Sequence, residues 1–302
     1  MTQPPLRRLP AADIPDRLYE LNAYAFRPSP PLYDRDEWDR HLKTRKEILA
    51  FGMFEEEKPV SVVAATPMIQ TVRKKQFSMG GIWGVATHPQ ARRKGYARQL
   101  LQALLASLKE EGHAFSCLYP FRESFYEKLG YVTFPQPTLA RFEPAALAPL
   151  LKADLAGQVT MFKLREAYDQ YISYLNTYQQ TVPGMALEKY PHPPVPGEDK
   201  YWLALATHKE TIAGIMLYSL RGEEVTQFKL QARRFYYTNS TGKYLLLNWI
   251  ARHIDQANQV ELWLPPSERP ETWLADMNVE RKQLWIPPMG RVLDVAGLNG
   301  LL

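Results

Sequence analysis

Arg92, Arg93 and Lys94, followed at once by Gly95, Tyr96 and Ala97, are the residues of this sequence best suited to chemistry. From Ala97 onward Leu100, Leu101, Leu104, Leu105 and Leu108 recur at helical spacing, so the basic loop opens a helix. The first N–H groups of a helix lack intrahelical acceptors and point outward, and the macrodipole adds partial positive charge there. An anion sits well at such a place. Gly95 permits a positive φ or a close backbone approach, and the three cations supply charge, so a pyrophosphate is the natural guest. A solvated basic helix start, with a glycine for its turn, is the other reading of the same residues. Upstream, Gly84 lies inside a strand-like run and predicts a bulge, or something extended lying against the backbone.

The elements that must hold this loop follow from periodicity and breakers. Residues 13–26 and 36–48 read as helices around a Pro-rich break at 27–32, and 48–54 is a short apolar run before a turn at 55–59. Strands are expected at 60–69 and 76–86, then the helix 95–111, a strand at 113–119, a short helix at 124–129 and a strand at 131–134. The second half repeats that order, with strands at 201–207, 211–220 and 225–237, a helix at 242–256 and a strand at 260–264. The expected fold class is α/β (α+β), with two copies of one architecture, each a mixed central sheet flanked by helices. The joining stretches are the Pro-bearing 135–149 and 183–197. The repeat is one of topology and not of sequence.

Composition bounds the alternatives. A chain of 302 residues, 45% hydrophobic and 23% charged, reads as soluble and globular with room for two domains. Its single cysteine, Cys117, excludes an intramolecular disulfide, fits a reducing compartment, and reads as a small buried residue more than as a nucleophile. The N-terminus has no apolar signal core and no uncharged run is long enough to span a bilayer, so a cytoplasmic protein without a membrane partner is expected. No metal site is expected. The whole of the +5 net charge falls within the first 145 residues. Such a surface attracts anions, but its sign alone does not separate nucleic acid from a phosphorylated cofactor.

The motif makes that separation. Arg92-x-x-Gly95-x-Ala97, after a strand and opening a helix, resembles the acetyl-CoA motif of the GCN5-related N-acetyltransferases (GNAT), Gln/Arg-x-x-Gly-x-Gly/Ala. About thirty residues on, Ser124-Phe-Tyr-Glu-Lys-Leu-Gly-Tyr131 resembles the later motif of that family, a short helix ending in a Leu-Gly-Tyr turn. The resemblance implies acetyl-CoA as cofactor and a division of labour. Backbone groups of Val85 and Ala86 would pair with the pantetheine arm, one N–H facing the thioester oxygen. The N–H groups of Arg93, Lys94, Gly95, Tyr96 and Ala97, with the Arg92 and Arg93 side chains, would hold the pyrophosphate. Tyr126 matches the tyrosine that protonates the departing thiolate, with a core or rim aromatic as the plain alternative. No nucleic-acid partner is then expected, because the cluster lies where a pyrophosphate would.

Two such halves in tandem resemble the Eis-type ("enhanced intracellular survival") GNAT proteins, whose first half is active and whose second is a degenerate copy. The implied domains are 1–145 (acetyl-CoA-binding), 146–290 (degenerate, with Asn239, Ser240 or Thr241 as a helix cap) and a tail, 291–302, resembling the opening of the sterol-carrier-like third domain of those proteins. Either that third domain is absent or the sequence is a fragment; if it is absent, the terminal carboxylate of those proteins is not carried over to Leu302 and the general base stays unassigned. The implied reaction is acetyl transfer by direct attack of a primary amine, an aminoglycoside- or polyamine-like molecule or a lysine side chain. Homo-oligomers are an expectation by the same analogy. The acceptor site would draw on Tyr24, Phe26, Tyr33, Asp34, Asp36 and Trp38, although Asp34 or Asp36 as a helix cap is the preferred reading of the acids. A non-catalytic acetyl-CoA sensor or scaffold is the alternative function.

Overall fold

Three pairs of charged residues close hairpins here: Glu56–Glu57, Arg73–Lys74 and Lys209–Glu210 all have positive φ at both positions. Two such residues match the right-handed twist of the strands they join. In the computed structural model, which describes residues 5–27, 29–197, 199–224, 226–283 and 286–298, the elements run as follows. First come β1 (Leu6–Arg8), α1 (Ile14–Phe26), α2 (Arg35–Lys43), β2 (Leu49–Glu55), β3 (Lys58–Val72), β4 (Lys75–Thr87), α3 (Tyr96–Glu110), β5 (Phe115–Leu118), α4 (Glu123–Glu127) and β6 (Val132–Thr133). Then follow β7 (Thr138–Phe142), β8 (Gln158–Lys163), α5 (Tyr168–Thr181), β9 (Ala186–Glu188), β10 (Trp202–His208), β11 (Thr211–Arg221), β12 (Phe228–Tyr237), α6 (Ser240–Ala251), β13 (Ala257–Leu264), β14 (Glu280–Lys282) and β15 (Met289–Val292).

Two mixed sheets result. The first has the order β1-β2-β3-β4-β5-β15-β6, with β9 added along β3. Its one parallel contact, β4 with β5, is bridged by α3, as a parallel pair requires. One face of this sheet packs Phe51, Met53, Val63 and Ile82 under the α3 leucines Leu100, Leu101, Leu104, Leu105 and Leu108. Each such side chain contributes roughly 1.5–3 kcal/mol when fully buried. The other face packs Ala50, Phe54, Val62, Ala64 and Ala86 with Ile14, Leu18 and Leu21 of α1. The second sheet has the order β14-β7-β13-β12-β11-β10-β8, and α6 lays Leu245, Leu246, Leu247 and Ile250 on it. Among the described residues no helix is long and apolar enough to cross a membrane.

The compact units follow other boundaries than those expected at 145/146 and 290/291. One comprises 1–134, 179–192 and 286–302; the other comprises 135–178 and 193–285. The cause is a reciprocal exchange of strands. β7 follows β6 in sequence but pairs with β13 and β14, whereas β15 pairs with β5 and β6. The stretches 135–149 and 183–197 therefore hold β7 and β9 and are not linkers. Leu139, Ala140 and Phe142 are buried, which outweighs their proline-rich setting. The helix expected over 36–48 ends at Lys43. Val225 of the expected strand and residues 299–302 of the expected tail lie outside the described residues, while Arg291 and Val292 of that tail are the second half of β15.

Candidate active site

β4 carries the bulge that Gly84 predicts. Val62 stands opposite Ala86 and Ala64 opposite Trp83, so Gly84 and Val85 together face Val63. Gly84 has φ 64°, and a Cβ there would lie 2.8 Å from Asn22 Oδ1, so this position takes glycine on both counts. The extra residue shifts the alternation by one. Ile82 and Val85 join the core under α3, while Trp83 and Ala86 join the core under α1.

Just before this point β4 loses its neighbour. β4 and β5 pair only through Met79↔Phe115, Gly80↔Ser116 and Gly81↔Cys117. β5 ends at Leu118 while β4 runs on to Thr87, so the β5-facing edge of 82–87 has no ladder partner among the described residues. Backbone N–H and C=O groups must be paired or solvated, and an extended ligand is one way of pairing them. Val85 belongs to the bulge on this stretch of β4, and Ala86 follows it with its carbonyl accepting from Ser61 Oγ (3.2 Å).

The strand then turns into the loop. His88 N–H donates to the Val60 carbonyl (2.9 Å), a 3-10 turn covers Pro89–Ala91, and buried Ala91 and Tyr96 pin the loop at both ends. Arg93 has φ 64° and Gly95 φ 84°, and α3 has no side-chain cap. The first backbone bond into the helix is Gln99 N–H to the Gly95 carbonyl. The N–H groups of Arg93, Gly95, Tyr96, Ala97 and Arg98 thus have no backbone acceptor among the described residues. A left-handed residue leading into a right-handed helix turns successive N–H groups toward one point, an anion nest. Arg92 Nε donates to the Thr87 carbonyl (3.3 Å), and Lys94 Nζ lies 3.7 Å from the Glu55 carboxylate. Arg93 is exposed and has no partner among the described residues. These open donors and this basic cluster fit a pyrophosphate.

Tyr126 belongs to the same core as Ala91, Tyr96 and Leu100. Its ring is 2% exposed and edge-on to Phe121 (5.6 Å), Phe125 (5.0 Å) and Tyr131 (5.9 Å). The hydroxyl makes no hydrogen bond among the described residues. Burial pushes the phenol up to about 12, so it keeps its proton across the physiological range. Cys117 is half-buried, and burial likewise pushes its thiol up to about 12, which leaves it inert at neutral pH. His88 is exposed in its turn.

The expected acceptor residues divide. Asp34 caps α2, accepting from the Glu37 N–H (2.7 Å), as the capping reading has it. Trp38 donates through Nε1 to the Pro15 carbonyl and meets Trp83 edge-on at 6.4 Å. Tyr33 has Arg27 over its ring and accepts at its carbonyl from Tyr19. Tyr24 and Phe26 are exposed at the end of α1, and Asp36 is exposed in the first turn of α2. Two further residues went unsingled in the sequence, Trp83 and Asn22. Asn22 was legible as a polar residue on the apolar stripe of α1, where it is buried against Gly84 and donates to the Leu18 carbonyl.

The second unit parts its strands in the same way. β12 pairs in parallel with β13 through Ala232↔Leu262 and then runs on to Tyr237 paired with β11 but not with β13. Yet Asn239 caps α6 by accepting from the Gly242 N–H (3.0 Å), and no described residue from 226 to 242 has a positive φ. Trp273 stacks on Phe235 at 5.6 Å, its carbonyl accepts from the Tyr244 hydroxyl, and Lys243 lies over its ring. This helix start is capped and covered by its own side chains, whereas that of α3 is open.

Comparison with known proteins agrees with this geometry. The family model for the acetyltransferase (GNAT) domain matches residues 6–134. No curated protein matches the chain. Among solved structures, a GCN5-related N-acetyltransferase from Anabaena variabilis has a TM-score of 0.79 at 17% identity, over 96% of this chain and 74% of that one. Eis1 from Mycobacterium abscessus has a TM-score of 0.73 at 13% identity, over 98% and 75%. A tandem GNAT protein from the clavulanic acid biosynthesis pathway has a TM-score of 0.50 at 12% identity, over 96% and 99%. At these identities the likeness is one of fold. Residues 6–134 match the GNAT acetyltransferase domain, and the chain as a whole shares its fold with these solved structures.

Proposed function

We propose that this protein is an acetyl-CoA-dependent N-acetyltransferase that acetylates a primary amine, with the first unit active and the second a degenerate copy. The observation that carries the reading is the open edge of β4 past Gly81, running through the Gly84–Val85 bulge toward the uncapped start of α3. Acetyl-CoA, when bound, supplies the acetyl group as an activated thioester. Val85 and Ala86 offer backbone groups to its pantetheine arm, and the N–H groups of Arg93–Ala97, with the Arg92 and Arg93 guanidiniums, hold its pyrophosphate. Tyr126 holds a proton ready for the leaving thiolate. The exposed Tyr24, Phe26 and Asp36 are the proposed contacts for a cationic acceptor, an aminoglycoside- or polyamine-like molecule or a lysine side chain, with Tyr33, Asp34 and Trp38 shaping the wall behind them.

Calorimetric titration with acetyl-CoA tests this reading. One site per chain is expected, weakened on the order of 10- to 100-fold in Arg92→Ala/Arg93→Ala, since a hydrogen bond to a charged group contributes roughly 1.5–3 kcal/mol. Release of free thiol with spermidine or N-acetyl-lysine methyl ester as acceptor then reports turnover. Two sites per chain would remove the degenerate second half, and no binding by the folded protein would remove the reading altogether. Tight binding with no thiol released over a broad amine panel would favour a sensor.

A further inference from the structure

The short helix α4, which carries Tyr126, ends in a particular cap. Tyr131 N–H donates to the Tyr126 carbonyl (3.2 Å) and Gly130 N–H to the Glu127 carbonyl (2.9 Å), with Gly130 at φ 78°. This is a Schellman motif, and the apolar contact that usually accompanies it is here the edge-on meeting of the Tyr126 and Tyr131 rings. The position of the Tyr126 ring is therefore tied to the cap. Tyr131 is anchored in turn by its hydroxyl, 2.6 Å from Ser116 Oγ on β5. The motif satisfies the carbonyls of Tyr126 and Glu127 but has no donor of its own for that of Leu129.

That donor comes from the far end of the chain. Arg291 on β15 donates through Nη1 to the Leu129 carbonyl. Its guanidinium lies along Gly130, with Cζ and Nε each 3.7 Å from where a Cβ would stand. The strand beneath it is fixed on both sides. Arg291 pairs with Ser116 of β5, and Met289 and Gly290 pair with Thr133 and Val132 of β6. Arg291 is half-buried and has no carboxylate partner among the described residues. A half-buried cation spent on a single carbonyl costs desolvation, which makes the bond to Leu129 its principal compensation.

We propose that Arg291 is a positioning residue for Tyr126: it clamps the Leu129–Gly130 cap from β15 and so holds the phenol where the reaction needs a proton. This rests on Tyr126 being the acid. In the full-length protein, Arg291→Met should lower kcat at least tenfold while the KM for acetyl-CoA stays within twofold. Arg291→Lys, which keeps a charged donor, should recover much of the loss. On a Tyr126→Phe background the same Arg291→Met change should cost nothing more, because the group it positions is gone. A second readout needs no acceptor. With tyrosines labelled at the ring Cζ, the resonance missing from Tyr126→Phe identifies Tyr126, and it should shift or broaden in Arg291→Met.

Equal losses from Arg291→Met on both backgrounds, or a raised KM at constant kcat, would overturn the proposal even with Tyr126 standing as the acid. An unmoved Tyr126 resonance in Arg291→Met would do the same without any assay of activity. If Arg291→Met does not fold, the lysine variant carries the test: wild-type kcat with a displaced Tyr126 resonance goes against the clamp. Wild-type kcat in Tyr126→Phe removes the acid role, and the proposal with it.

Discussion

At the scale of single residues, the most informative group is a buried phenol whose hydroxyl has no hydrogen-bond partner among the described residues. Burial raises Tyr126 to about 12 because the phenolate would lose its hydration. The raised value keeps the proton in place, and in the proposed role the developing thiolate would have to draw it. Tyr126→Phe should lower kcat by roughly 10²–10⁴-fold, the usual range for a proton-transfer group, with little change in acetyl-CoA affinity measured by calorimetry. The sign for pH follows from the same shift. A donor that titrates at about 12 stays protonated below that pH, so the rate should rise with pH as the amine acceptor loses its proton. No alkaline fall is expected below about pH 11. An alkaline limb between pH 8 and 9 that disappears in Tyr126→Phe would contradict this account.

At the scale of elements, β4 does two jobs that a regular strand cannot. Its first part, up to Gly81, pairs on both sides and anchors the sheet. Its second part gives up β5 and uses a bulge to change which residues face α3. The bulge depends on Gly84, which supplies the left-handed conformation and leaves room for Asn22. Gly84→Ala should cost about 2 kcal/mol or more, from the left-handed penalty plus the contact with Asn22. It should also weaken acetyl-CoA binding, because straightening the strand would turn Val85 and Ala86 to the wrong faces. Chemical denaturation and calorimetry on the same variant separate the two effects. A variant that loses stability yet binds acetyl-CoA as tightly as wild type would show that the bulge serves the fold alone.

At the scale of the whole molecule, the strand exchange decides what can be separated. Residues 1–145 contain β7, which belongs to the second sheet, and lack β15, which lies between β5 and β6 in the first. Without β15 the β5 edge and buried Met289 contacts are lost, and β6 has no neighbour. The fragment 1–145 should therefore fail to give a cooperative thermal transition or to bind acetyl-CoA, although it contains the whole loop at Arg92–Ala97. A cooperative fragment with wild-type acetyl-CoA affinity would show β15 to be dispensable.

Much of this was legible in the residues themselves. The loop Arg92–Ala97 before an amphipathic helix, the bulge at Gly84 and the repeated order of elements follow from local rules of spacing, glycine conformation and amphipathic period, while the Leu-Gly-Tyr turn came from the family resemblance. Local rules reach only as far as neighbours along the chain. The partner of β5 is chosen by burial between segments more than 160 residues apart, as the Arg291–Leu129 bond illustrates. The strands β7 and β15 are only a few residues long, too short for a period, and β7 lies among prolines. Their places come from open sheet edges that needed hydrogen-bond partners. Likewise the cap at Asp34 was the preferred reading of the sequence, whereas the carbonyl partner of Trp38, Pro15, is set by packing. The sequence by itself determined which residues can do chemistry and which local turns hold them. Only the tertiary structure decided which strand completes the sheet beneath Tyr126, because that pairing depends on edges and burial that no single stretch of sequence contains.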